Sequence, residues 1–208
     1  MLVFLSETVD ISPGSCVGGF GLALSSFLLC VVLLFRFEVV ACAWGGAQFA
    51  RANRWALVCG AIAAVGALGV AAFQYRSGWQ GDVHLAFAAM FFIGATLWML
   101  LNTYLDYQLR TMPRGCALGV ARVGVPAVTV ALLVFTLVTN GTGSGSISRN
   151  VRDSWNEVQA GVEISLFLTN MAYVGMQYFP FRKLNVRLEI GNDGTGAADG
   201  SSALPLLI

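Results

Sequence analysis

Five apolar runs alternate with short polar connections along the 208-residue chain. They cover residues 17–35, 56–73, 83–105, 117–139 and 158–179, each close to the roughly 20 residues that cross about 30 Å of hydrocarbon. Helices are expected for all five. In lipid every backbone N–H and C=O must be paired inside its own segment, and none of the runs shows the ten-residue alternation of a membrane barrel. The predicted fold class is therefore all-α, a polytopic transmembrane helix bundle with five helices in a single domain over residues 1–190. Residues 191–208, GNDGTGAADGSSALPLLI, are small and polar until the last few and predict a disordered cytoplasmic tail.

Composition agrees with the pattern. The chain is 57% hydrophobic and 11% charged, with a mean hydropathy of +0.72. Twelve basic and eleven acidic residues are too few to clothe a water-soluble domain of this size, so lipid must cover the remainder. A net charge of +1, with no basic stripe carrying interleaved aromatics, excludes nucleic acid as a partner.

The basic residues supply an orientation. None precedes the first helix, and Arg36, Arg51 and Arg54 follow it. The next connection holds Arg76, the third Arg110, Arg114 and Arg122, the fourth Arg149 and Arg152, and the tail Arg182, Lys183 and Arg187. Nine therefore fall on one side and three on the other. Short cytoplasmic loops collect Lys and Arg, so the N-terminus of the chain is expected to be extracytoplasmic or lumenal and the C-terminus cytoplasmic. Asn140-Gly141-Thr142, in the connection NGTGSGSISRN, then lies outside, which makes Asn140 a candidate glycosylation acceptor.

Candidate chemistry is sparse. The single histidine, His84, follows Asp82 and faces Gln74 across a short connection. In that position it is expected to hydrogen-bond two helix ends together rather than to catalyse. There is no second histidine, no Cys-His spacing and no carboxylate pair, so no catalytic residue, metal site or cofactor is expected. Of the five cysteines, Cys16 falls outside, while Cys42, Cys59 and Cys116 fall near the cytoplasmic interface, reduced or palmitoylated.

Glu163 stands about five residues inside the last run, where an acid needs water, a partner or a polar cavity. Its expected neighbours are His84 or Gln74, with an ion or proton pathway as the alternative. Asn102 and Asn170 are the other intramembrane polar candidates, and Pro126 is the single proline well inside a helix. Gly60 and Ala64, with Ala63, Ala67 and Ala71, repeat at four-residue spacing, which predicts close helix packing in the bundle or in a homo-oligomer. The third run, with its Phe and Met residues and Trp98, predicts a lipid-facing or bulky packing surface. Beneath the last run, Arg182, Lys183 and Arg187 are interleaved with apolar residues and are candidates for contact with membrane lipids or with a membrane or cytoplasmic protein partner.

Three stretches carry a family resemblance. FLSETVDISPGSCVGGFGLALSSFLL, followed by Arg36, resembles the first extracytoplasmic loop and second helix of the DRAM family, the damage-regulated autophagy modulators and their transmembrane protein 150 relatives. Ser6-Glu7-Thr8, Pro13 and Ser15-Cys16 match that family's Ser-Asp/Glu-Thr segment, proline turn and Ser-Cys. AAFQYRSGWQGDVHLAFAAMFFIGATLWMLLNTYL resembles its Phe-Gln at a helix end (Phe73, Gln74) and the His that opens the next helix (His84). Trp155 to Ile190 resembles its last helix, with Glu163 as the acid and a Phe-rich exit into FRKLNVRLEI. Val9, Gly14 and Ile164 depart from the pattern, which usually has Gly, an acid and Trp there.

The resemblance implies six helices with both ends cytoplasmic, hence a first helix that the present five lack. It implies a non-enzymatic protein that modulates autophagy at lysosomal or endosomal membranes. It also admits a plasma-membrane adaptor for phosphoinositide kinase recruitment or lipid organisation and, more remotely, a small transporter or channel.

Overall fold

The computed structural model describes residues 14–43, 47–73, 78–109, 116–141 and 149–181. They form five long helices, α1 Gly14–Ala43, α2 Ala47–Ala72, α3 Trp79–Gln108, α4 Cys116–Gly141 and α5 Arg149–Met176, followed by the single turn α6 Tyr178–Phe181. Among the described residues there is no strand. Stretches of α1 to α4, namely Cys16–Cys42, Phe49–Ala72, Trp79–Gln108 and Ala117–Thr139, are long and apolar enough to cross a bilayer. The chain is an all-α polytopic bundle. At 28 residues α5 has the length but carries Gln159, Glu163 and Asn170, and it packs along the others through Ala160, Leu166, Tyr173 and Met176.

The helices overrun their apolar runs, because a charged side chain ends a hydropathy window without ending a helix; Arg, Glu, Gln and Ala are all good helix formers. Four expectations change as a result. Arg36, Arg51 and Arg54 are helical rather than in a connection, since α1 continues to Ala43 and α2 begins at Ala47. Asn140 lies in the last turn of α4. Cys59 stands in the middle of α2 rather than near an interface, whereas Cys42 is exposed close to the end of α1. Glu163 is half-buried at mid-length of α5, which starts at Arg149.

Neighbouring helices pair antiparallel, as the register shows. Gly19 faces the carbonyl of Ala71, Gly60 faces Leu33, and Asn53 donates its Nδ2–H to the Phe37 carbonyl at 2.9 Å. The tightest seam joins α2 to α3. Gly66 lies against the backbone of Phe87 and Phe91, and Gly94 against that of Cys59 and Ala63. Ala63 is buried against Gly94 in this seam, and Ala64 and Ala67 are buried as well, with Ser26 of α1 donating to the Ala64 carbonyl, so the small-residue stripe is used within one chain.

The third run is a bulky packing surface on one face and exposes Leu85, Leu97 and Leu100 on the other. Phe91, Trp98 and Met99 are buried, and the Trp98 ring meets Tyr173 of α5 edge-on at 5.6 Å. The outward positions are also apolar, among them Phe20, Phe27, Val65, Leu97, Val128 and Leu137. A contiguous apolar exterior of this kind suits hydrocarbon and not water.

Candidate functional site

Charged side chains inside a bundle are costly unless they meet one another. Here three do. Asp106, two residues from the end of α3, has no exposed surface, and its carboxylate accepts Arg36 Nη2 of α1 on Oδ1 and Arg122 Nη1 of α4 on Oδ2. Arg36 also donates Nε–H to Asn102 Oδ1 at 2.9 Å, and Asn102 in turn donates Nδ2–H to the Trp98 carbonyl at 2.9 Å. Arg122 Nη2–H reaches the Met176 carbonyl at the end of α5, 3.2 Å away. A single carboxylate thus ties α1, α3 and α4 directly, and α5 through Arg122.

A second polar layer lies against the first. Pro126 has no N–H to give to the carbonyl four residues earlier, that of Arg122. Thr103 Oγ1 stands 3.3 Å from that carbonyl and 3.0 Å from the Tyr173 hydroxyl, which itself donates to the Met99 carbonyl at 3.0 Å. A neighbouring helix therefore satisfies the group that the proline releases, as membrane bundles require. Among the described residues, Arg122 Nε and both amide atoms of Gln177 are buried and meet no hydrogen-bond partner. Two guanidinium groups around one carboxylate make this end of the bundle locally positive inside. The arrangement contains no nucleophile–base pair, and among the described residues no group of His, Cys, Asp and Glu could hold a metal ion. What it can do is lock the register of four helices.

At the opposite end His84 donates Nδ1–H to the Phe73 carbonyl at 2.7 Å. A carbonyl only accepts, so the proton resides on Nδ1. The Phe73 ring stacks on Phe87 at 5.6 Å and 10°. The end of α2 and the start of α3 are thereby joined by one polar and one aromatic contact. His84→Ala should remove about 1–2 kcal/mol by leaving the Phe73 carbonyl short of a donor. A melting temperature in detergent equal to that of the wild-type protein would refute this.

Of the residues singled out from sequence, the structure brings Phe73 and His84 together and leaves Cys16 exposed in the first turn of α1. Ser6, Glu7, Thr8, Pro13, Gln74, Arg182, Lys183 and Arg187 lie outside the described residues, as does the side chain of Asn140. Sequence reasoning missed Asp106, and it read Arg36 and Arg122 as orientation signals only. The available signal was an acid and two bases at the same-side ends of three apolar runs, Arg36 and Asp106 directly after theirs and Arg122 within the first turns of its own.

The family model described as Frag1/DRAM/Sfk1/Cwh43P N-terminal domain matches residues 1–184. The chain is also 24% identical over 205 residues to the DNA damage-regulated autophagy modulator protein 2 of Bos taurus, an alignment that covers 91% of this chain and 75% of that protein. No solved structure matches it.

Proposed function

Because the chain belongs to the Frag1/DRAM/Sfk1 family, we propose that it is a non-enzymatic multi-pass membrane protein that modulates autophagy at lysosomal or endosomal membranes. The observation that carries this reading is the likeness to an autophagy modulator along nearly the whole chain. The buried ionic cluster is compatible with it, since a bundle locked by its own charges suits a scaffold that presents loops and a tail to partners. In this reading the N-terminus is lumenal and the basic segment Arg182, Lys183 and Arg187 faces the cytoplasm, beside anionic lipid or a partner protein.

The test is the steady-state location of the full chain, expressed at low level with a small C-terminal tag, together with autophagic flux after depletion. Lysosomal residence with altered flux is expected. Surface residence with unchanged flux would overturn the reading and point instead to an adaptor that recruits a phosphoinositide kinase or organises lipid. Orientation has its own check. A variant retaining only Cys42, which is exposed near the end of α1, should react with a membrane-impermeant maleimide on intact isolated organelles; labelling only after permeabilisation would invert the orientation.

A further inference from the structure

Between α1, α2, α3 and α5 lies a cavity of about 150 Å³, halfway along the bundle. Its walls are apolar for the most part, with Gly60, Phe91, Trp98 and Phe167 among them, and its polar members include Ser26 and Asn170. α1 and α5 scarcely touch, and Leu28, which also lines the cavity, is 53% exposed. The cavity therefore reaches the outer, lipid-facing surface of the bundle between these two helices.

Asn170 is the feature that packing leaves unexplained. It is 3% exposed, and its observed hydrogen bond runs from Nδ2 to the Leu166 carbonyl of its own helix at 2.7 Å. That leaves Oδ1 as an acceptor in an apolar chamber. Ser26 gives its proton to the Ala64 carbonyl at 2.7 Å, so its oxygen, too, is left to accept. An asparagine that served only to fill space here would be a poor choice beside leucine, because an acceptor opening into an apolar, lipid-facing chamber lacks the water that would otherwise satisfy it.

We propose that this cavity binds the hydroxyl-bearing end of an apolar bilayer lipid, entering between α1 and α5 and donating its O–H to Asn170 Oδ1. The volume matches the occupant. A cavity of about 150 Å³ takes one small ring or a few carbons, so it holds the end of a hydrophobic alcohol and leaves the remainder in the membrane. Hydrocarbon alone would fill the volume but leave the acceptors unmet. A water molecule would meet them but leave most of the wall without contact.

The experiment uses the full chain in lipid vesicles and two photoreactive, alkyne-tagged probes, a diazirine hexadecanol and the matched hexadecane. The alcohol should label the segments lining the cavity about fivefold more than the alkane, as one additional hydrogen bond predicts. Asn170→Leu should abolish that preference while leaving alkane labelling in place. Val32→Phe, which fills the cavity from α1, should suppress labelling by both probes. Equal labelling of the wild-type protein by the two probes, cross-links outside the lining segments, or labelling indifferent to Val32→Phe would each overturn the proposal. If Asn170→Leu does not yield monodisperse protein, competition by unlabelled hexadecanol against unlabelled hexadecane in the wild-type protein gives the same comparison.

Discussion

Asp106→Leu is expected to cost about 3–5 kcal/mol, the penalty for leaving a buried charge without its partner. Here the penalty falls on two arginines at once. Arg36 and Arg122 are 3% and 1% exposed and lose the carboxylate that stands between them. Their mutual repulsion is then unscreened by water. Against a typical total stability of about 5–15 kcal/mol, this is enough to deplete the folded state. The measurement is the yield of monodisperse protein in mild detergent and its melting temperature.

A rescue separates charge from shape. Arg36→Met, Asp106→Leu and Arg122→Met together remove all three charges and should recover much of what Asp106→Leu loses, because apolar replacement of a whole buried ionic cluster is often neutral or stabilising. If Asp106→Leu melts with the wild-type protein, or if the triple variant is as poor as the single one, the cluster is not the lock described above.

Gly94→Leu is expected to open the seam between α2 and α3. A Cβ on Gly94 would stand 2.8 Å from the Cys59 carbonyl oxygen and 2.9 Å from the Ala63 nitrogen, and one on Gly66 would stand 2.7 Å from the Phe87 carbonyl oxygen. These are backbone atoms, so relief requires the helices to move apart. The helical preference of Ala over Gly returns about 1 kcal/mol, less than the roughly 1–3 kcal/mol that overpacking costs. Gly94→Ala and Gly66→Ala should therefore lose stability modestly, and Gly94→Leu far more. Gly124 of α4 is the control, since nothing lies within 4 Å of the position its Cβ would take. Gly124→Ala should be neutral or stabilising by up to about 1 kcal/mol. A Gly94→Leu protein that melts normally, or a Gly124→Ala protein as damaged as Gly94→Ala, would contradict the seam.

Much of the candidate site was out of reach of a reading along the chain. His84 was legible, because it is the single histidine and opens a helix beside the end of another; its bond to the Phe73 carbonyl needs only a short connection and two helix ends. Asp106 was not. It stands 70 residues from Arg36 and 16 from Arg122, and each of the three lies where a hydropathy profile falls, so each reads as the flank of a span. Thr103 shows the same limit. A threonine near the end of an apolar run has no special meaning until Pro126, on the next helix, frees a carbonyl opposite it. The small-residue stripe on α2 was legible as a stripe, but Gly66 and Gly94, the points of closest backbone approach, depend on which faces of two helices meet.

The sequence by itself determined the all-α membrane class and the approximate position of the helices, because the cost of placing a side chain in hydrocarbon is a local quantity that adds up along each run. It also carried the family, through short motifs around Phe73 and His84 and near the N-terminus. Tertiary structure alone decided which charges are paired, which glycines are pressed against backbone, and that Asn170 looks into a cavity. Those are properties of register between helices. Register follows from the packing of the whole bundle, in which one carboxylate can satisfy two arginines only after α1, α3 and α4 have been brought to the same depth.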